Sequence, residues 1–225
     1  MKGVGQPTPF VFCAQTCSGE GDVNVTGVVL AGGKSRRMGE DKRFLAVGTA
    51  TLLERSISVM KALFSDVLVV IAQDSPPLEA SGCRIYRDVI AGCGSLGGLY
   101  TGLRSATHDR VFVVACDMPF LNRAMIKFFV ERDPSADVTM GRLLDGLQPL
   151  HAVYGKRALP VLERMAKTGR LRIQDIVSEP ALRITIVDPA EWSQLDPANR
   201  SFHNVNTPAD LDAARVAARC EPASP

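Results

Sequence analysis

Histidine and cysteine are too few and too scattered in this chain to build a metal cage. The three histidines lie far apart, and the six cysteines, at 13, 17, 83, 93, 116 and 220, include no Cys-x-x-Cys pair. Neither a zinc site nor a disulfide framework is expected. Long apolar runs are missing as well. None approaches the roughly 20 residues of a membrane span, and residues 9–14 are too short and too poorly flanked for the apolar part of a secretory signal. A cytoplasmic protein with reduced thiols, and no membrane partner, is the expectation. A basic stripe is the third absence: 26 basic and 24 acidic residues are spread along the chain and sum to +2. Nucleic acid is therefore not an expected partner, and any anion site must be local. The single tryptophan, Trp192, reads as a packing residue.

What is present is enough apolar material, 46% of 225 residues, for one sizeable core. Short β-branched runs alternate with helical patterns, which predicts right-handed βαβ units and a single α/β domain in three layers, α/β/α, around a mostly parallel twisted sheet. Strands are predicted at Gly27 to Leu30, Val67 to Ala72, Arg84 to Tyr86, Arg110 to Cys116, Asp137 to Met140, Leu147 to Tyr154 and Arg183 to Val187. Leu52, Leu53, Ile57, Met60 and Leu63 follow helical spacing, as do Leu121, Met125, Phe128 and Phe129. Asp145-Gly146 between two apolar runs predicts a hairpin and with it an antiparallel strand. Thr207, Pro208 and Asp210 mark the start of a last helix. The domain is expected to span 23–220, with an N-terminal extension at 1–22 and a tail at 221–225, both rich in turn-forming and polar residues.

The first predicted strand runs straight into Ala31-Gly32-Gly33-Lys34-Ser35-Arg36-Arg37-Met38-Gly39-Glu40-Asp41-Lys42. A glycine pair at a strand end lets backbone N–H groups approach an anion, and the nearby cations supply charge, so this loop outlines a triphosphate cradle. It is not a Walker A loop, because Val28 stands where that spacing needs glycine. The second acidic landmark is Asp117, which ends the continuous apolar run Val111 to Cys116. A carboxylate at the mouth of a strand buried on both faces needs a partner, and Mg²⁺ bridging phosphates suits it. A helix cap or a surface ion pair is the plainer reading of that aspartate alone.

These residues resemble a known signature. Leu30-Ala31-Gly32-Gly33-Lys34-Ser35-Arg36-Arg37-Met38-Gly39 with Asp41-Lys42 is similar to that of the molybdenum cofactor guanylyltransferases, the MobA family. The similarity continues through Gly94-Ser95-Leu96-Gly97-Gly98-Leu99, Cys116-Asp117-Met118-Pro119-Phe120 and Asn204-Val205-Asn206-Thr207-Pro208. The resemblance implies a Rossmann-like nucleotidyltransferase fold, GTP and Mg²⁺, and molybdopterin cofactor as acceptor of GMP. A molybdoenzyme or its chaperone would be a transient partner. It further implies that Leu30, Ala31, Gly32, Gly33, Lys42, Asp88 and Asp117 bind the nucleotide, that Lys42, Arg37 and Asp117 serve transfer, and that Asp117 holds the metal. Gly97, Gly98, Asn204 and Asn206 would lie on the acceptor side. Asp88 can equally cap a turn, and the two asparagines can equally bond their own loop. The chain departs from the family at Ser95, where proline is usual, and at Ile71-Ala72-Gln73, where an asparagine often meets the nucleotide.

Two other readings compete, a related nucleotidyltransferase that uses CTP or another acceptor and an enzyme of a different class. Gly92-Cys93-Gly94-Ser95-Leu96-Gly97 satisfies G-x-G-x-x-G, and Asp117 falls near the offset of a ribose-binding acid, as in dinucleotide oxidoreductases. The stretch before it, Arg84 to Ala91, is interrupted by charge, which argues against that reading. His151 is expected to be a packed, hydrogen-bonded histidine near the acceptor cleft, and Arg170 and Arg172 to lie on a solvated face.

Overall fold

The computed structural model describes residues 24–32, 41–78, 80 and 82–219. In chain order the elements are β1 (Val25–Leu30), β2 (Ala46–Val47), β3 (Ala50–Thr51), α1 (Leu52–Lys61), β4 (Val67–Ile71), β5 (Arg84–Arg87), α2 (Gly94–Ser105) and β6 (Arg110–Ala115). There follow α3 (Arg123–Arg132), β7 (Val138–Leu143), β8 (Gly146–Gly155), α4 (Leu159–Lys167), β9 (Ile184–Val187), α5 (Pro189–Trp192) and α6 (Pro208–Arg219). Every predicted strand is present. The predicted extension at 1–22, the tail at 221–225, Gly33 and Arg37 lie outside the described residues.

Seven strands form one sheet in the order β5-β4-β1-β6-β8-β7-β9. All neighbouring pairs are parallel except those made by β8, which runs antiparallel to both β6 and β7. The alternation of side chains along β1 and β6 builds the layers. Val25, Val29, Phe112 and Val114 belong to a core that also holds Met60 of α1, Met125 and Phe129 of α3, and Trp192 of α5. Val28, Leu30, Val111 and Val113 belong to the opposite core, with Leu99 and Leu103 of α2 and Leu162 of α4. Both faces of the central strands are therefore buried, as their unbroken β-branched runs require. Gly102 is what lets α2 lie so close, since a Cβ there would stand 2.6 Å from Val28 Cγ1.

Two local features differ from the sequence expectation. The β7–β8 turn is Leu144-Asp145, one residue earlier than expected, because Leu143 pairs with Gly146. Gly146, with φ of 127°, supplies the backbone that resumes the strand. The small β2–β3 hairpin was not anticipated, as two residues a side carry no readable period. It turns at Gly48, φ 70°, and forms a satellite core with α6 through Leu45, Val47, Leu52, Val205, Leu211 and Ala214. The predicted start of α6 is realised. Thr207 Oγ1 accepts from Asp210 N at 3.2 Å, and Asp210 Oδ2 accepts from Thr207 N at 2.8 Å.

Candidate active site

The chain goes from β1 to β4 on one side and later returns to β6 on the other, so the connections that leave β1 and β6 diverge at the carboxyl ends of these paired strands. That is where an open parallel sheet exposes backbone groups to a ligand. Leu30-Ala31-Gly32 leaves β1 there, and Cys116-Asp117 leaves β6, tied to β1 by Cys116 N donating to Leu30 O at 3.0 Å. Gly32 passes tightly beside the end of β4, where a Cβ would come within 3.0 Å of Ala72 N.

Two cavities adjoin at this point and share Leu30, Gly32 and Ser95. One, of about 490 Å³, extends over the ends of β4 and β5 past Ile71, Gln73, Asp88 and Gly98. The other, of about 440 Å³, extends over β6 and the β7–β8 hairpin, past Lys42, Asp117, Asn204, Asn206 and Gln148. The sequence-predicted residues thus fall into two groups on either side of one strand end.

In the β6 cavity the long-range contacts converge on Lys42. Its Nζ donates to Val205 O at 2.9 Å and to Asn206 Oδ1 at 2.9 Å, and stands 3.6 Å from Asp117 Oδ2. Val205 N donates in turn to Asp117 O at 2.8 Å, so the segment before α6 is docked on the strand end. Asp117 Oδ1 is buried and has no hydrogen-bond partner among the described residues. Burial raises the Asp117 pKa, and the Lys42 ammonium only partly offsets this. A desolvated carboxylate with one oxygen unclaimed, in a polar cleft, fits a divalent cation. No cluster of three or more His, Cys, Asp or Glu stands ready for a metal among the described residues. The fitting ion is one that takes one carboxylate and completes its shell with water and phosphate oxygens.

In the other cavity, Asp88 follows the end of β5. Its Oδ1 accepts from Ile90 N at 2.9 Å and from Thr101 Oγ1 at 3.1 Å, so the turn-capping role is realised while the residue also lines the cavity. Gly97 makes room for it, since a Cβ at Gly97 would lie 2.5 Å from Asp88 Oδ2. Gly98 packs on Leu30, with its Cβ position 3.4 Å from Leu30 Cδ2. Both glycines are buried on the inner side of α2.

Several residues stand apart from this chemistry. His151 is fully buried, ringed by Phe112, Phe129 and Phe202 at centroid distances of 5.0, 5.3 and 4.7 Å. Contrary to expectation, neither ring nitrogen has a hydrogen-bond partner among the described residues. Desolvation lowers its pKa to about 4, which keeps it neutral at physiological pH. Burial pushes the Cys116 thiol up to about 12, which makes it inert as a nucleophile. Arg170 donates to Glu179 Oε1 at 2.9 Å from a half-exposed position, as a solvated face implies. Trp192 is a core residue, its Nε1 donating to Asn199 Oδ1 at 2.7 Å. Sequence reading passed over Arg43, which is 5% exposed and lines the Lys42 cavity. Its only signal was its place directly after Asp41-Lys42.

The glycine fingerprint at 92–97 does not make a dinucleotide site. Such a site needs the strands before and after the helix to be neighbours, whereas β4 and β1 stand between β5 and β6.

Comparison with known proteins agrees with this geometry. Residues 27–181 match the model of the MobA-like NTP transferase domain. A probable molybdenum cofactor guanylyltransferase of Pelotomaculum thermopropionicum is 36% identical over 196 residues, covering 87% of this chain and 94% of that one. A molybdenum cofactor guanylyltransferase of Desulfosudis oleivorans is 35% identical, covering 86% and 95%. Among solved structures, molybdopterin-guanine dinucleotide biosynthesis protein A from Archaeoglobus fulgidus superposes with a TM-score of 0.75 at 25% identity, over 88% of this chain and 100% of that one. A 2-C-methyl-D-erythritol 4-phosphate cytidylyltransferase from Thermus thermophilus shares the fold alone, with a TM-score of 0.64 at 16% identity over 85% and 98%. The strand order, the cleft over the ends of β1 and β6 and these matches together make the chain a nucleotidyltransferase of the MobA-like NTP transferase family.

Proposed function

We propose that this protein transfers GMP from GTP to the phosphate of molybdopterin cofactor, forming the guanine dinucleotide cofactor and releasing pyrophosphate. The observation that carries the reading is the meeting of Lys42, Asp117 and Asn206 in one of two cavities that adjoin at Leu30, Gly32 and Ser95. Two adjoining cavities, one of them holding a cation and a carboxylate, suit a reaction that joins two large anions. The β4–β5 cavity, with its apolar floor and Asp88, would take the nucleoside. The β6–β8 cavity would take the acceptor, with Asn204 and Asn206 on its wall and Gly97 and Gly98 in the helix between.

The acceptor phosphate is already an anion, so no side-chain nucleophile is required, and catalysis rests on alignment and charge. Lys42 would neutralise the phosphates as they pass, its ammonium held in place by Val205 O and Asn206 Oδ1. The Ala31 and Gly32 end of β1, with Gly33 and Arg37 beyond it, would cradle the triphosphate. Asp117 would hold Mg²⁺, whose charge lowers the cost of bringing two phosphates together. The burial that raises the Asp117 pKa disappears as a penalty once a cation shares the carboxylate. Delivery of the product to a molybdoenzyme or its chaperone follows as a transient contact, and the cytoplasm as the compartment.

The test is transfer itself. Purified protein with GTP, Mg²⁺ and molybdopterin cofactor should form the guanine dinucleotide and pyrophosphate in equal amounts. Lack of product with GTP but formation of a cytosine dinucleotide with CTP would overturn the guanylyl assignment.

A further inference from the structure

Arg43 is buried on the wall of the Lys42 cavity. Its guanidinium is clamped by Asp41, with Nε donating to Oδ1 at 2.9 Å and Nη2 donating to Oδ2 at 2.5 Å. The same carboxylate accepts from Arg43 N at 3.1 Å, which caps the short 3₁₀ turn Lys42–Phe44. Yet Arg43 Nη1 is buried with no hydrogen-bond partner among the described residues. Asp41, by contrast, keeps 38% of its side chain exposed, so it does not need the arginine for its own solvation. The pair itself favours the folded state, since Arg43 holds the Asp41 carboxyl below its ordinary value and Asp41 holds the guanidinium above its own, but that pairing does not require Nη1 to be buried without a partner.

The clamp brackets Lys42. Residues 41 and 43 are tied to each other across the short turn that carries Lys42. From that turn Lys42 reaches Val205 O, Asn206 Oδ1 and the Asp117 carboxylate. Arg43 also lines the same cavity as Lys42 and Asp117, close enough to Cys116 for its charge to act on that thiol. We infer that Arg43 is a positioning residue for transfer: its buried pairing with Asp41 fixes the turn from which Lys42 reaches the Asp117 strand end. A buried donor left without a partner on the wall of the cleft is the kind of local conflict that marks functional sites.

This inference rests on the reading of the cleft as a triphosphate-transfer site, and its test separates the two. The full chain carrying Arg43→Met is compared with the unsubstituted chain, Lys42→Ala and the double variant. The readouts are kcat, KM for GTP, Tm, and the Tm rise on adding Mg²⁺ with GTP, CTP or ATP. Arg43→Met should lower turnover about 10-fold or more at temperatures well below its Tm, the scale of a displaced catalytic group. Added to Lys42→Ala, it should cost less than about 2-fold more, because the group it positions is already gone. The nucleotide-induced Tm rise should shrink in the same pattern. Should the methionine variant fail to accumulate, Arg43→Gln carries the same expectations. A lowered Tm with unchanged turnover, or full additivity with Lys42→Ala, overturns the inference. Absence of transfer by the unsubstituted chain counts instead against the guanylyl reading, and the nucleotide-induced shifts still decide the role of Arg43.

Discussion

Lys42 Nζ and Asn206 Oδ1 lie 2.9 Å apart, which joins the loop after the first strand to the segment before the last helix. The amide oxygen takes one ammonium proton, Val205 O takes another, and the third faces the side on which Asp117 lies. Removing the ammonium therefore undoes contacts to two distant segments at once. Lys42→Ala should weaken GTP and slow transfer together. Steady-state kinetics with GTP varied check this, and an unchanged KM and kcat would take Lys42 out of the site.

Asp117→Asn should retain the fold and reduce turnover by at least about 100-fold, the loss typical of one electrostatic contributor in a preorganised site. Stability should move the other way. The folded-state pKa of Asp117 is raised above the ordinary 3.8, so the native state favours the protonated form. The wild type thus loses stability as pH rises from the ordinary carboxylate value through the raised one, and the asparagine variant does not. Metal-free Tm measured on both proteins across that window should diverge with rising pH, and parallel curves would remove the desolvation argument.

His151 gives the opposite sign. Its pKa falls from 6.5 to about 4 in the folded protein, so the unfolded chain takes up a proton that the native core refuses. Stability from this residue is complete above pH 6.5 and is lost as pH falls towards 4, by at most about 3 kcal/mol. His151→Leu should flatten the fall of Tm between pH 7 and pH 4.5 while leaving transfer at neutral pH close to wild type. Loss of turnover with intact stability would give the histidine a chemical role.

Gly97→Ala should act on the nucleotide through Asp88. A Cβ would meet Asp88 Oδ2 at 2.5 Å and Ile90 O at 2.9 Å, and the second of these is backbone that cannot swing aside. Overpacking of this kind costs about 1–3 kcal/mol, or a few degrees of Tm in a chain of this size. KM for GTP should rise with it. An alanine variant with native Tm and native KM would show that α2 gives way without moving Asp88.

GTP should be preferred over CTP and ATP in competition at equal concentrations. Gly33 belongs to the Leu30-Ala31-Gly32-Gly33 run through which the sequence resembles the guanylyltransferases. Ala72 and Gln73, which line the nucleoside-side cavity, lack the usual asparagine, so the preference should be softer than in relatives that carry it. Replacing Gln73 with Asn should sharpen it, as measured by the ratio of guanine to cytosine dinucleotide formed.

The amino-acid order alone determined the strands, because continuous β-branched runs such as Val111 to Ala115 can be buried only in the middle of a sheet. It also marked the strand ends at which an anion site would open, since Gly32 and Asp117 directly follow such runs. Short elements escaped it: β2 and β3, two residues each, exist because α6 covers them, and that contact is made by residues far apart in the chain. Only the tertiary structure decided the state of single polar atoms. Which Asp117 oxygen is left unclaimed, why His151 is neutral, and what Arg43 holds all depend on desolvation and on distances between separate segments. Sequence spacing carries neither, because a side chain's electrostatic environment is set by what folds over it.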